Sequence, residues 1–379
     1  MSYDVLPVRR LFFFVSFILI GMLVTPWINA DQIPKYQTEN LVEGLNDPYA
    51  FVFLPDGDIL LTEKTGKLRI IRDGVLLSQP VNGLPEMFID GKYCGLFDVV
   101  LHPRFEENHY IYLSFTFGRK DANATRVARA RYVDGRLDDV TTVFTGFPLK
   151  DTINGPAGHL TFLPDETLLI TVGDGFRYRE KAQDLESMLG KVVRITDDGK
   201  IPLNNPFINK AGDRSPVWTY GHRISLGILY DPVTNTIYEH ENGPKGGDEL
   251  NILKPGKNYG WPIATYGVDY SGAYVSPFQD YPNTEKPIVD WTPSIAPAGI
   301  TQCRGCLWSE WEGDLFIGML AGQHVRRVRV DNGVATHQEV LFKEMGERIR
   351  NVQFGPDGAL YVMIESIGNS RVIRIEPLS

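Results

Sequence analysis

A short strand–turn–strand unit recurs along this chain, and that recurrence constrains the fold more than any other feature. Copies begin at Phe51 (FVFLPDGDILLTEK), Phe97, Leu160, Leu226, Leu307 and Val352, spaced by roughly 45 to 80 residues. Each copy alternates apolar with small or polar residues, as a half-buried strand does. Pro-Asp-Gly, or a relaxed version of it, supplies the turn. Third strands are expected at GKLRIIRDG, HVRRVRVDNG and SRVIRIEP, after Glu63, Gln323 and Asn369. Six such units predict an all-β, six-bladed β-propeller of four-stranded antiparallel blades, a closed arrangement that leaves only short, protected sheet edges. The segment 181–189 is the one stretch that reads as helical, and 243–293 reads as long loops.

The first thirty residues stand apart. Arg9 and Arg10 precede an apolar run over 11–24, followed by Thr25, Pro26 and the small-residue end Ile28-Asn29-Ala30. The run is about fourteen residues, whereas a spanning helix needs roughly twenty. The pattern predicts a signal peptide over 1–30, removed to leave one propeller domain over 31–379. An uncleaved N-terminal anchor is the other reading. The mature chain is expected to be periplasmic or secreted, with no stable membrane span. The full chain's formal net charge is −9 and its basic residues are scattered, which argues against nucleic acid as a partner. Three cysteines are present. Cys303 and Cys306 form a lone C-x-x-C without the His of a haem site or the extra ligands of a zinc site. They are either a short-loop disulfide or two loop thiols. Cys94 reads as a small buried side chain.

The densest polar constellation is EHENGPKGGDELNILKPGKNYGWP, over 239–262. It combines Glu241, Asp248, Glu249 and Tyr259 with several glycines and prolines. Hard cations such as calcium take carboxylates and backbone carbonyls in irregular cages, and Gly243 and Pro244 can present carbonyls outward.

In these residues the chain resembles a known family. GPKGGDELN followed by KNYGWP is similar to the metal loop of the soluble, pyrroloquinoline quinone (PQQ) dependent glucose/sorbosone dehydrogenases, which include periplasmic aldose sugar dehydrogenases. The likeness continues through GLFDVVLHPRF at Gly95, AQDLESMLGKVVRI at Ala182, WTYGHR at Trp218, WEGDLFIGMLAGQH at Trp311 and ERIRNVQFGPDGALYV at Glu347. The resemblance implies a six-bladed propeller with PQQ and calcium as cofactors. It implies calcium ligation by the carbonyls of Gly243 and Pro244, calcium sites at Glu249 and Tyr259, and a lesser part for Asp248. It also implies cofactor contacts from Arg223, Arg348 and Arg350. Guanidinium groups suit a tricarboxylate, and residues two apart on a strand share a face.

Other positions depart from the family pattern. The family's general base is a His in His-x-Gly-Gly-Arg, where this chain has NGPAGHL. A gap-free count puts Gly155 at the His position and His159 at the Arg position, so His159 is the nearest substitute base. Lys92 stands where a cofactor-contacting Gln is expected, and Ile224 follows Arg223 in place of Asn.

The expected function is therefore oxidation of an aldose or related alcohol, with PQQ, calcium and Arg223 serving the quinone side and electrons passing to an external acceptor. The main alternative is a catalytically impaired propeller that binds calcium, a sugar or a protein. A calcium-dependent lactonase-like hydrolase ranks third, because the metal ligands concentrate in one loop.

Overall fold

The computed structural model describes residue 1 and residues 35–378. The expected signal segment at 1–30 lies, beyond Met1, outside the described residues. From Lys35 onward the chain forms one compact unit. It contains six four-stranded sheets, each antiparallel throughout. The six-bladed propeller expected from the repeat is the observed fold.

The innermost strand is the first in sequence for each of five blades, and in the sixth it is the first of the three C-terminal strands. These strands are Pro48–Phe53, Leu96–Leu101, Leu160–Phe162, Ser225–Asp231, Pro297–Gln302 and Arg348–Phe354. Each touches the first strands of both neighbouring blades, which closes the ring around a central channel. Apolar side chains fill every blade–blade interface with a cluster of its own, such as Leu60 and Leu68 against Leu96 and Leu113. Each fully buried Leu or Ile contributes about 1.5–3 kcal/mol, so the interfaces hold the ring together.

Closure is a property of the termini. The sixth blade takes three strands from the C-terminal end and its outermost strand, Tyr36–Leu45, from the N-terminal end. Tyr36 pairs with Pro377 and Leu45 with Ser370.

The Pro-Asp-Gly turns form as read. In Leu54–Asp58 the amide of Gly57 donates to the Leu54 carbonyl at 3.0 Å, with Gly57 at φ +94°. In the third blade the sequence is Pro-Asp-Glu-Thr, and Glu166 takes the left-handed conformation at φ +60°.

Three expectations need correction. The fifth copy, placed at Leu307, has its first strand earlier, at Pro297–Gln302. Leu307 instead follows a loop closed by a Cys303–Cys306 disulfide, which settles the two readings of that pair. The segment 243–293 is not all loop, because Asp248–Leu253 and Val289–Trp291 are the outer two strands of the fourth blade. The helix expected over 181–189 is only a 3-10 turn, Arg179–Gln183. Nine residues cannot hold a helix by propensity alone. This segment is pinned instead by tertiary bonds, with the Met188 amide donating to the Phe147 carbonyl at 2.7 Å. Cys94 is buried, as expected.

Candidate functional site

The repeat dictates where the site lies. A cavity of about 380 Å³ opens where the six first strands begin. Each blade in turn sends at least one residue from the start of its first strand, or just before it: Tyr49, Lys92, Asn154, Arg223, Ser294 and Arg348 are among them. The turns that follow the second strands add Lys64, Phe176, Gly243 and Leu320. Loops at one end of a rigid scaffold can vary without disturbing the blade cores, which is why sites collect there.

The cavity is strongly cationic. Among its described lining residues Lys64, Lys92, Arg223, Arg348 and Arg350 carry positive charge, and no Asp or Glu lines it. Arg350 Nε donates to Glu365 Oε2 at 2.6 Å, and Arg348 donates to Oε1 of the same carboxylate at 3.0 Å. Burial by itself would raise the Glu365 carboxyl, but Arg350 and Arg348 outweigh it and hold it at about 2. One carboxylate thus positions two guanidiniums and neutralises only one. The side chain of Arg350 is 10% exposed against 45% for Arg348.

Arg223 ties two walls together. Its Nη1 donates to the carbonyls of Asn242 (2.6 Å) and Gly243 (2.8 Å). Its guanidinium lies 4.9 Å from the Phe176 ring centroid and 5.9 Å from that of Tyr270. Those two rings are stacked in parallel at 5.9 Å.

Asp248 shapes the loop at Gly243. Its Oδ1 accepts the Gly243 amide at 2.8 Å. Its Oδ2 accepts from Ser294 Oγ and from the amides of Ile295 and Ala296, each at 2.7 Å. Burial raises its carboxyl, partly offset by those donors. Every oxygen is occupied, so Asp248 fixes two cavity-lining segments from beneath.

The Glucose / Sorbosone dehydrogenase profile matches residues 45–374, nearly the whole described propeller. The chain belongs to the glucose/sorbosone dehydrogenase family. It is 36% identical over 375 residues to the aldose sugar dehydrogenase YliI of Escherichia coli, covering 97% of this chain and 99% of that one. It is 28% identical over 432 residues to quinoprotein glucose dehydrogenase B of Acinetobacter calcoaceticus, covering 90% and 89%. The crystal structure of the soluble E. coli aldose sugar dehydrogenase in its apo form superposes with a TM-score of 0.86 at 36% identity, over 91% of this chain and 100% of that one. A PQQ-bound aldose sugar dehydrogenase from Streptomyces coelicolor gives 0.74 at 25% identity, over 91% and 99%.

Of the residues that the family resemblance singled out, the fold brings Lys92, Gly155, Arg223, Gly243, Arg348 and Arg350 to this one cavity. It does not bring Pro244, Asp248, Glu249, Tyr259 or His159 to the cavity wall. Glu249 lies inside the fourth blade, directly across the strand pair from Glu241. The Tyr259 hydroxyl is committed within the blade, donating to the Ile252 carbonyl and accepting the Lys254 amide, both at 2.8 Å. The calcium residues implied by the family motif therefore fall in two separate places.

His159 sits a layer deeper. With Phe51, Asp98, Gly227, Gly299 and Asn351 it lines a second space in the channel, one residue from each blade. Its Nδ1 is 3.6 Å from Asp98 Oδ2. Burial, with help from His240 and Arg350, lowers its imidazole to about 3. Burial likewise raises Asp98 to about 7, against the amides of Leu160 and Val99. His159 thus lines this lower space and is not among the described lining residues of the cavity, where a base was expected. Gly155 does line the cavity, but at φ +61° and with the Gly175 backbone 3.1 Å from where a Cβ would stand.

Sequence reading missed Tyr49, Lys64, Asn154, Phe176 and Tyr270. The signal was the repeat phase: each blade's first-strand start and second-strand end could have been marked as cavity positions.

The residues present fit the family's cofactors. A polycarboxylate suits a cavity of five cationic side chains with an aromatic wall. Beside the Gly243 carbonyl, Asn242 Oδ1 is buried without a hydrogen-bond partner, and an oxygen acceptor in that state suits a hard cation.

Proposed function

We propose that this protein is a PQQ- and calcium-dependent dehydrogenase that oxidises an aldose or a related alcohol and passes the electrons to an external acceptor. The observation that carries the reading is the cavity's charge pattern, five cationic side chains with no anionic one among the described lining residues. When bound, the quinone supplies the hydride acceptor and calcium supplies a Lewis acid.

The chain's own residues bind and orient. Arg348 and Arg350 take carboxylates of the cofactor, with Arg350 held ready by Glu365. Lys92 takes a further carboxylate at the cavity's edge. Arg223 faces both the Gly243 carbonyl and the aromatic pair, where it would steady negative charge on a quinone oxygen. The Gly243 carbonyl, with Asn242 Oδ1, would hold the cation. Phe176 and Tyr270 offer a flat apolar wall to a planar ring or a sugar face.

Proton removal is the weak part. Among the described lining residues neither imidazole nor carboxylate is present. The sugar's hydroxyl proton passes to water in the open cavity, and turnover is slow beside relatives that carry His-x-Gly-Gly-Arg. General-base assistance contributes roughly a hundred- to ten-thousand-fold. The N-terminal pattern supports export to the periplasm or beyond, and no helix among the described residues is long and apolar enough to cross a membrane.

Reconstitution tests the reading. The chain is stripped with chelator, loaded with PQQ and calcium, and screened against sugars with a dye acceptor. A quinone absorption band bleached by sugar supports the assignment. Absence of any PQQ-dependent band, with or without calcium, removes it.

A further inference from the structure

The fifth blade carries a group of cationic side chains that the cavity does not use. Its second strand is Leu315–Met319, its third is His324–Asp331, and Lys343 follows its fourth, Val334–Leu341. His324 pairs with Met319 and Arg326 with Ile317, so both share the face that packs toward the fourth blade. The Gly322 carbonyl, in the turn before His324, accepts from Lys343 Nζ and, at 2.8 Å, from His324 Nδ1. A carbonyl can only accept, so the proton of the neutral imidazole stands on Nδ1. Glycine is needed in this turn, because a Cβ at Gly322 would stand 2.7 Å from His324 Cε1.

Two independent observations point to an absent ligand. The first is charge without a counter-ion. Burial lowers the His324 imidazole, the Gly322 carbonyl raises it, and the only charged neighbours that act on it, Arg326 and Lys343, lower it again. Burial also lowers Arg326, with no carboxylate opposing it. The second is a pair of orphaned atoms. His324 Nε2 and Arg326 Nε are both buried without a hydrogen bond among the described residues, and His324 is only 4% exposed. Buried polar atoms in that state cost free energy unless a partner meets them.

The two orphans ask for different things. Arg326 Nε can only donate, whereas His324 Nε2, with the proton on Nδ1, can only accept. One ligand satisfies both if it carries anionic oxygens and a single O–H. A phosphate group, whose last proton leaves near pH of about 6, has that form.

We propose that His324, Arg326 and Lys343 bind a singly protonated phosphate group, as free phosphate or as a phosphate monoester, in the fifth blade beside the turn that supplies Leu320 to the cavity. Its O–H donates to His324 Nε2 and its other oxygens accept from Arg326 and Lys343. None of the three side chains lines the cavity, and the site is independent of the oxidation proposed above. Lys343 is exposed, Arg326 half-buried and His324 buried, so the ligand enters past Lys343. Once bound, it ties the turn at Gly322 to the end of the fourth strand.

The whole protein, with its histidines labelled with nitrogen-15, is titrated at neutral pH with inorganic phosphate and with glucose 6-phosphate. One imidazole resonance should move saturably, and His324→Gln should delete it. Arg326→Gln should weaken the binding about tenfold or more, because a hydrogen bond to a charged group is lost. The cavity also holds cations but no imidazole among its described lining residues, so Arg348→Gln should leave the response unchanged. The tighter of the two ligands tells a phosphorylated small molecule from the free ion, and either carries the proposal. Sulfate, which holds no proton at neutral pH, should bind more weakly. The measurement needs no PQQ, so it stands or fails apart from the oxidation. A wild-type spectrum in which no imidazole resonance moves overturns the proposal, even if the variants do not fold. So does sulfate binding as tight as that of phosphate, or an Arg326→Gln variant with unchanged affinity.

Discussion

The ring of Tyr49, which lines the cavity, lies 5.5 Å from the ring of His159, which lines the channel space, with the two rings tilted by 32°. His159 belongs to the channel space and not to the described cavity lining. His159→Gln should change sugar turnover by less than about tenfold, whereas loss of a working base costs a hundredfold or more. Steady-state rates with a dye acceptor check this, and a collapse of kcat with unchanged PQQ binding would count against it.

The same pair of layers sets a pH dependence. Asp98 is raised to about 7, above its unfolded value of about 3.9, so its contribution to stability is full at low pH and is lost as pH rises through about 7. His159 is lowered to about 3, so its contribution is full above about 6.5 and is lost as pH falls toward about 3. Between about pH 4 and 6.5 the two oppose each other, at up to about 1.4 kcal/mol per pH unit each. Relative to wild type, Asp98→Asn should lose stability toward acid and His159→Gln toward neutrality. Denaturant unfolding at a series of pH values reads the slopes, and slopes of the same sign contradict the assignment.

Arg350 and Arg348 share Glu365 but not its burial. Arg350→Ala should weaken PQQ binding by about 1.5–3 kcal/mol, and Arg348→Ala by less, because exposed charges are screened. Equal losses in quinone titrations would argue against a cofactor carboxylate placed deep beside Arg350.

Asp248 holds four donors from two segments of the cavity wall. Asp248→Ala strands three amides, one buried and two half-buried, and should cost about 3 kcal/mol of stability while also weakening PQQ and calcium binding. Asp248→Asn keeps an acceptor and should cost less. Thermal melts with and without cofactors separate these outcomes.

Gly155 occupies the position that a gap-free count gives to the family's histidine. Gly155→His should not restore a base. Its φ of +61° and the Gly175 backbone at 3.1 Å oppose a side chain there, and the change should destabilise by about 1–3 kcal/mol without raising turnover. A faster, fully stable variant would show that the loop can reshape around an imidazole.

The amino-acid sequence by itself determined the blades and most of the cavity's cations. Alternation along FVFLPDGDILLTEK and its copies dictates half-buried strands, and Pro-Asp-Gly dictates their turns, because both are local effects of side-chain period and backbone sterics. The positions of Arg223, Arg348, Arg350 and Gly243 were legible through the likeness of their motifs to those of the family. Only the tertiary structure decided the rest, since it depends on which strands meet. Tyr36–Leu45 joins the last blade, more than three hundred residues away in sequence. Asp248 and Glu249, adjacent in one motif, point to opposite duties because neighbouring strand residues face opposite sides: one bonds the cavity loops and the other lies inside the blade across from Glu241. His159, four residues from Gly155, falls a layer below the cavity because the chain turns down into the channel as the third blade's first strand begins.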